Sequence, residues 1–293
     1  MKIDNKTYKT DLIAPPLSAE ATSVVRMKNE FVFAKQTVME TSEQRLLFNA
    51  IARFDTSGFK QDDSVQRDLW DRSIGEFGGP NYANITQDIC DEYFCTVEKR
   101  TIMLPVAEVL KFSGTRNYER LDVAVEHLRK RDITIVRKDG SKETNDQINL
   151  IERIRKVKID GSPAEVLITF TQSFMPYVIA LSGYRHVELQ MLAKLRQKYS
   201  LRYYHWFSYQ LGTKGEGSFA ISVAELRERF NIGDDEHKRG LVERLVKKPL
   251  EEINKHSDLE VTFTRNMVNT SKGRELKSLM FFIKRKPKEA PTF

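Results

Sequence analysis

The side chains in this sequence best placed to act on another molecule are cationic, and they are clustered. Residues 237–263 read HKRGLVERLVKKPLEEINKHSDLEVTF, with Lys238, Arg239, Arg244, Lys247 and Lys248 in the first half and Glu251 and Glu252 after them. On a helix from 240 to 255, Val242, Leu245, Val246, Leu250 and Ile253 recur at spacings of three and four and form an apolar side. Arg244, Lys247 and Lys248 share another face. Lys238 and Arg239 sit at the N-terminal end, where the helix dipole adds partial positive charge. Such groups bind anions by charge and hydrogen bonding. Pro249 removes one backbone donor and is expected to kink or break the helix near 245–249. Taken alone, the stretch is either an anion-reading surface or a solvated charged face.

Other chemistries lack their residues. No Gly-x-x-x-x-Gly-Lys-Ser/Thr loop occurs, and GTKGEGS (212–218) reads as a flexible connection. His127, His186, His205, His237 and His256 are scattered, without the close pair that a metal-dependent nicking enzyme needs. Tyr199, Tyr203 and Tyr204 stand beside Trp206 and Phe207 on an amphipathic helix, a pattern of core packing before one of a nicking tyrosine. Two cysteines, Cys90 and Cys95, cannot make a disulfide framework or a complete zinc site, and read as reduced, partly buried thiols of a cytoplasmic protein. The expectation is a protein without catalytic residues, metal or cofactor.

Composition agrees with binding. The 293 residues carry a formal net charge of +7, with 40% hydrophobic and 30% charged residues, a chain of one or two domains able to bury a real core. The excess charge is local: residues 184–286 hold 21 Lys and Arg against 13 Asp and Glu. Residues 55–98 hold 3 basic and 10 acidic side chains, and read as an acidic loop insertion. The balance favours an anionic partner. No apolar run approaches the ~20 residues that span a bilayer, so no membrane role is expected. Residues 1–23 lack the apolar core of a signal peptide and read as a flexible tail.

The elements that would position the cations recur in order. Residues 24–38 have strand-like composition, and 41–54 form an amphipathic helix with Thr41 and Gln44 spaced as a capping box. A short strand and a helix follow over 101–114. Tyr118, Leu121, Val125 and Leu128 mark a second helix. Ile133 and Ile135 begin a hairpin turning at Asp139-Gly140, and two more strands join through Asp160-Gly161. A long helix over 189–212, a strand and helix over 218–233, the basic helix, and strands around 259–267 and 277–286 repeat the order. LPVAEVLKFSG and ISVAELRERFNIG share Val-Ala-Glu and end at Phe and Gly, with Val106 and Val223 as equivalent positions. One long-period copy implies two domains of the same kind, over 24–183 and 184–286, with a short tail at 287–293.

Strand, short helix, second helix and hairpin is the order of a winged helix, in which the second helix enters the DNA major groove and its neighbours grip phosphates. The predicted class is α+β: two tandem winged-helix domains related by internal duplication. The first copy then offers Arg116, Asn117 and Arg120 at the start of its recognition helix, and Arg129, Lys130 and Arg131 at its end. Lys138 and Lys142 are expected on its wing. In the second copy the wing loop RNMVNTSKGRE offers Arg265, Lys272 and Arg274.

The ordered set SEQRLLFNAI, LPVAEVLKF, ERLDVAVEHLRKRDI, EVLITFTQSFMPYVIAL, KYSLRYYHWFSYQL, ISVAELRERFNI and KKPLEEINKHSDLEVTF resembles the iteron-binding family of plasmid replication initiators, over roughly residues 24–286. The resemblance implies two winged-helix domains on consecutive major grooves of double-stranded DNA at origin direct repeats. It implies monomers that activate the origin and dimers that bind an operator and repress their own gene. It further implies melting of an AT-rich segment and recruitment of the host initiator and replicative helicase. Leu241, Val242 and Glu243 depart from the Phe-Lys-Arg run frequent in that family. A winged-helix transcriptional regulator and a rolling-circle nicking initiator are the competing functions.

Overall fold

The computed structural model describes residues 24–53, 94–113, 117–178, 184–211, 214–233, 240–271 and 273–287. The expected tail at 1–23 and most of the acidic stretch 55–98 lie outside them. The chain order is β1 (Val24–Lys28), α1 (Asn29–Val32), α2 (Thr41–Arg53), β2 (Thr101–Pro105), α3 (Val106–Ser113), α4 (Tyr118–Arg129), β3 (Asp132–Asp139), β4 (Lys142–Asn149), β5 (Ile151–Ile159) and β6 (Ser162–Phe170). It continues with α5 (Met175–Val178), β7 (Tyr184–Glu188), α6 (Leu189–Lys194), α7 (Lys198–Gln210), β8 (Glu216–Ser222), α8 (Val223–Arg229), α9 (Lys248–His256), β9 (Leu259–Thr270) and β10 (Gly273–Arg285). Of the described residues, one compact unit holds 24–28, 45–132 and 148–189, and the other 29–44, 133–147 and 190–287.

In the first unit, β2, β6 and β5 form an antiparallel sheet in that order. Leu46, Leu47, Ala50 and Ile51 of α2, Val109 of α3, and Leu121, Val125 and Leu128 of α4 are buried together with Ile168 and Phe170 of β6. The Phe170 and Phe174 rings lie 5.5 Å apart and extend this core. Arg53 of α2 forms an ion pair with Glu108 of α3. Separately, β1 pairs antiparallel with β7.

In the second unit, β8, β10 and β9 form a sheet with the same connectivity, the first strand of the copy pairing with the last and the last with the middle one. The core is aromatic. Tyr203, Trp206 and Phe207 of α7, Phe230 after α8 and Phe281 of β10 are buried, with Tyr203 and Phe207 stacked at 5.5 Å and Trp206 stacked on Phe230 at 5.0 Å. Core packing is therefore what the aromatic run does. Gly217 of β8 lies so close to α7 that a Cβ there would meet the Gln210 carbonyl oxygen at 2.1 Å. The glycine-rich stretch is in that part a packed strand, where a flexible connection was expected.

Residues 29–40 are fastened to α7 by one buried arginine. Arg202 donates to the carbonyls of Ala34 and Gln36, and its guanidinium lies 5.4 Å from the Trp206 ring centre and 5.1 Å from that of Phe230. Trp206 Nε1 donates to Val32 O at 2.8 Å. Burial first, then the neighbouring Arg229, lowers the Arg202 pKa to about 9, which leaves it charged at neutral pH. The strand-like composition of 24–38 thus resolves into β1, the single turn α1 and an irregular segment with an isolated bridge from Lys35 to Thr134.

Other local expectations change for tertiary reasons. Thr41 and Gln44 make no capping box: the Gln44 N–H goes to Glu40 O, Thr41 Oγ1 donates to Arg196 O, and Gln44 Nε2 to Met39 O and Lys198 O. The helix read as continuous over 189–212 breaks between α6 and α7. The Glu252 carboxylate accepts from the backbone N–H groups of Arg196 and Gln197 at 2.8 and 3.0 Å, and so holds the two residues that lead into α7. Cys95 is exposed, not partly buried.

Candidate nucleic-acid interface

The first recognition helix, α4, begins at an N-cap. Asn117 Oδ1 accepts from the N–H groups of Glu119 and Arg120 at 2.8 and 3.3 Å, which engages that oxygen in starting the helix. Leu121, Ala124, Val125 and Leu128 face the core, and the other side is open. Arg120, Val123, His127 and Lys130 follow one another at helical spacing as an exposed stripe. Tyr118, expected among the apolar positions, is 47% exposed in the first turn. Asp122, Glu126 and Arg129 form the adjoining stripe. Lys156 of β5 reaches Asp122 Oδ1 at 2.8 Å and Glu126 Oε1 at 3.9 Å, and Arg129 reaches Glu126 Oε2 at 3.7 Å.

The wing of this unit is not where the sequence placed it. The strands flanking Asp139-Gly140, β3 and β4, form a two-stranded sheet of their own, and residues 133–147 group with the second unit. Lys142 is exposed there, and Lys138 lies on β3. The hairpin that pairs with β2 is β5–β6, turning at Asp160 and Gly161 with φ values of 50° and 78°. Arg153, Arg155 and Lys158 are exposed on β5. Their signal was present as the basic run RIRKVKI. With two Asp-Gly hairpins in succession, sequence alone does not say which one closes on β2. Arg131 is half-buried, and its carbonyl accepts from Leu150 N. Arg116 lies outside the described residues.

In the second unit the described part of the recognition helix starts after Gly240, which has φ +74°. Leu241, Leu245, Val246, Leu250 and Ile253 are buried. Residues Glu243–Lys247 form a π-helical turn in which the Lys248 N–H bonds to Glu243 O, and α9 continues from it. The irregularity expected near Pro249 is this turn. Without a proline N–H, the Leu245 carbonyl has no partner four residues on, and the backbone widens in the preceding turn. Arg244 and Lys248 are exposed, while Lys247 is half-buried and pairs with Glu243 at 2.9 Å. Lys238 and Arg239 lie outside the described residues, as does Lys272.

The second wing is longer and more regular than a basic loop. β9 and β10 pair from Leu259–Arg285 to Thr270–Gly273 with one register shift, so Arg265 and Arg274 stand on strands. The Arg265 guanidinium lies 5.9 Å from the Phe263 ring centre. Among the described residues no group of three or more His, Cys, Asp or Glu could hold a metal ion, and no helix is long and apolar enough to cross a membrane.

Three helices closed by a three-stranded sheet, with the last helix exposed beside the hairpin of that sheet, define a winged-helix DNA-binding protein, and this chain carries the arrangement twice. The family described as "Initiator Replication protein, WH1" matches residues 85–208, and "Initiator Rep protein, WH2" matches residues 222–283, together more than half of the sequence. The chain belongs to the initiator Rep family. A crystal structure of Pi initiator protein in complex with iteron DNA is similar over 92% of this chain and 99% of that one, at 18% identity and a TM-score of 0.58, a likeness of fold. Domains 2 and 3 of RctB align over 68% of this chain and 78% of that one at 12% identity, with a TM-score of 0.38, too low to bear on the fold. No curated protein matches the sequence.

Proposed function

We propose that this protein initiates plasmid replication by binding directly repeated origin sites in double-stranded DNA, with α4 and the helix that ends in α9 each reading a major groove. The observation that carries the reading is the repeated unit itself, in a chain of the initiator Rep family: one exposed, partly cationic helix beside one basic hairpin, present twice. The iteron DNA of the Pi initiator complex is consistent with it. Arg120 and Arg244 lie where base edges or phosphates are met, and the wing cations Arg153, Arg155, Arg265 and Arg274 supply phosphate contacts, which give affinity more than sequence choice. Opening the duplex then requires only tighter binding to its distorted form, with no catalytic group.

The finer roles of this reading are recruitment of the host initiator and replicative helicase, repression of the protein's own gene as a dimer, and action in the cytoplasm. A footprint on the DNA flanking its gene tests the central statement. Protection of successive direct repeats, with affinity falling steeply as salt rises, is the expected result. Binding that is insensitive to salt and to scrambling of the repeats would refute it.

A further inference from the structure

Val123 stands in the first recognition helix where a folding role is hard to find. It is 53% exposed, on the side of α4 opposite Leu121, Ala124, Val125 and Leu128. A β-branched residue on an open helix face is a poorer helix former than alanine, and here little burial compensates. Its neighbours one turn away are Glu119 and Arg120 on one side and Glu126 and His127 on the other, all exposed. The stripe Arg120, Val123, His127 and Lys130 thus has two branched methyl groups amid hydrogen-bonding and charged side chains, at the middle of the helix and one turn on from Arg120, which stands in the N-terminal part that meets base edges in a recognition helix.

In the major groove the apolar feature of the base edges is the C5-methyl group of thymine. We infer that Val123 is a specificity-determining residue that reads a thymine methyl group in the bound repeat, beside base or phosphate contacts made by Arg120. The inference rests on the proposed function and adds to it the kind of base the helix selects. A valine methyl packed on a thymine methyl excludes water from both, and discriminates against cytosine, which offers an N4 donor and no methyl there.

The test uses the full chain and a duplex carrying one footprinted repeat, with each thymine replaced in turn by deoxyuridine, which removes the methyl group alone. At one or two thymines the substitution is expected to weaken binding about fourfold, the worth of one buried methyl group. In Val123→Ala the same substitutions should have no effect. Val123→Ala should melt no lower than the parent, because the position is exposed and alanine favours the helix. If the parent binds the repeat but no thymine methyl matters, or if the loss is equally large in Val123→Ala, the assignment is overturned. If the parent fails to bind the unmodified repeat, the proposed function itself fails and the assignment falls with it.

Discussion

Lys156 on the first wing and Asp122 on the first recognition helix are joined by a 2.8 Å ion pair, and the same ammonium lies 3.9 Å from Glu126. In the proposed complex this ammonium offsets two exposed carboxylates that would otherwise repel phosphate. Its effect on stability should be small, below about 1 kcal/mol, because both partners are solvent-exposed. Lys156→Ala is expected to weaken binding to every duplex, cognate or scrambled. Adding Asp122→Asn should restore part of the loss. A urea melt and a salt titration on both DNAs check this, and a loss confined to the cognate repeat would assign Lys156 to base reading instead.

The two lysines before Pro249 should behave differently. Lys247 is paired with Glu243 at 2.9 Å, whereas Lys248 is exposed. Lys248→Ala should lower affinity for all sequences and reduce the slope of log affinity against log salt by about 1, one phosphate contact. Lys247→Ala should do less on both measures. The reverse order would place Lys247, not Lys248, against the phosphate backbone.

His205 should make stability fall in acid. It is 4% exposed, and burial first, then nearby Arg202, depress its pKa from 6.5 to about 3. Below pH 6.5 the unfolded chain takes up a proton that the folded chain refuses, so stability is full above that value and declines toward pH 3. The loss from this group is on the order of 2 to 3 kcal/mol by pH 4.5. Urea denaturation at pH 7, 5.5 and 4.5 should show a shallower decline for His205→Gln than for the parent protein.

Gly217→Ala should destabilise the second unit by roughly 1 to 3 kcal/mol, since the new methyl group meets backbone that cannot rotate away. The Gln210 carbonyl oxygen is 2.1 Å from the Cβ position. Gly233→Ala, where nothing lies within 4 Å of that position, is the control and should melt close to the parent.

Much of this protein is determined locally. Ser222 caps α8 through the Glu225 N–H at 3.0 Å, Asp160-Gly161 turns with both residues at positive φ, and the apolar spacing of Leu121, Val125 and Leu128 faces the core. Each depends on neighbours in sequence, so helices, hairpins and their repeated order are legible in the residues, and with them the cationic helices of the two units. Long-range partners decided the rest. Which of two Asp-Gly hairpins becomes the wing depends on which strand pairs with β2, a contact between Thr101 and Thr169, 68 positions apart in sequence. The break between α6 and α7 depends on a carboxylate supplied by Glu252, and the capping box at Thr41 gives way to carbonyls of residues 196 and 198. Exposure of Val123 and neutralisation of Asp122 by Lys156 are likewise tertiary facts, because periodicity orders a helix face but does not say what is laid against it.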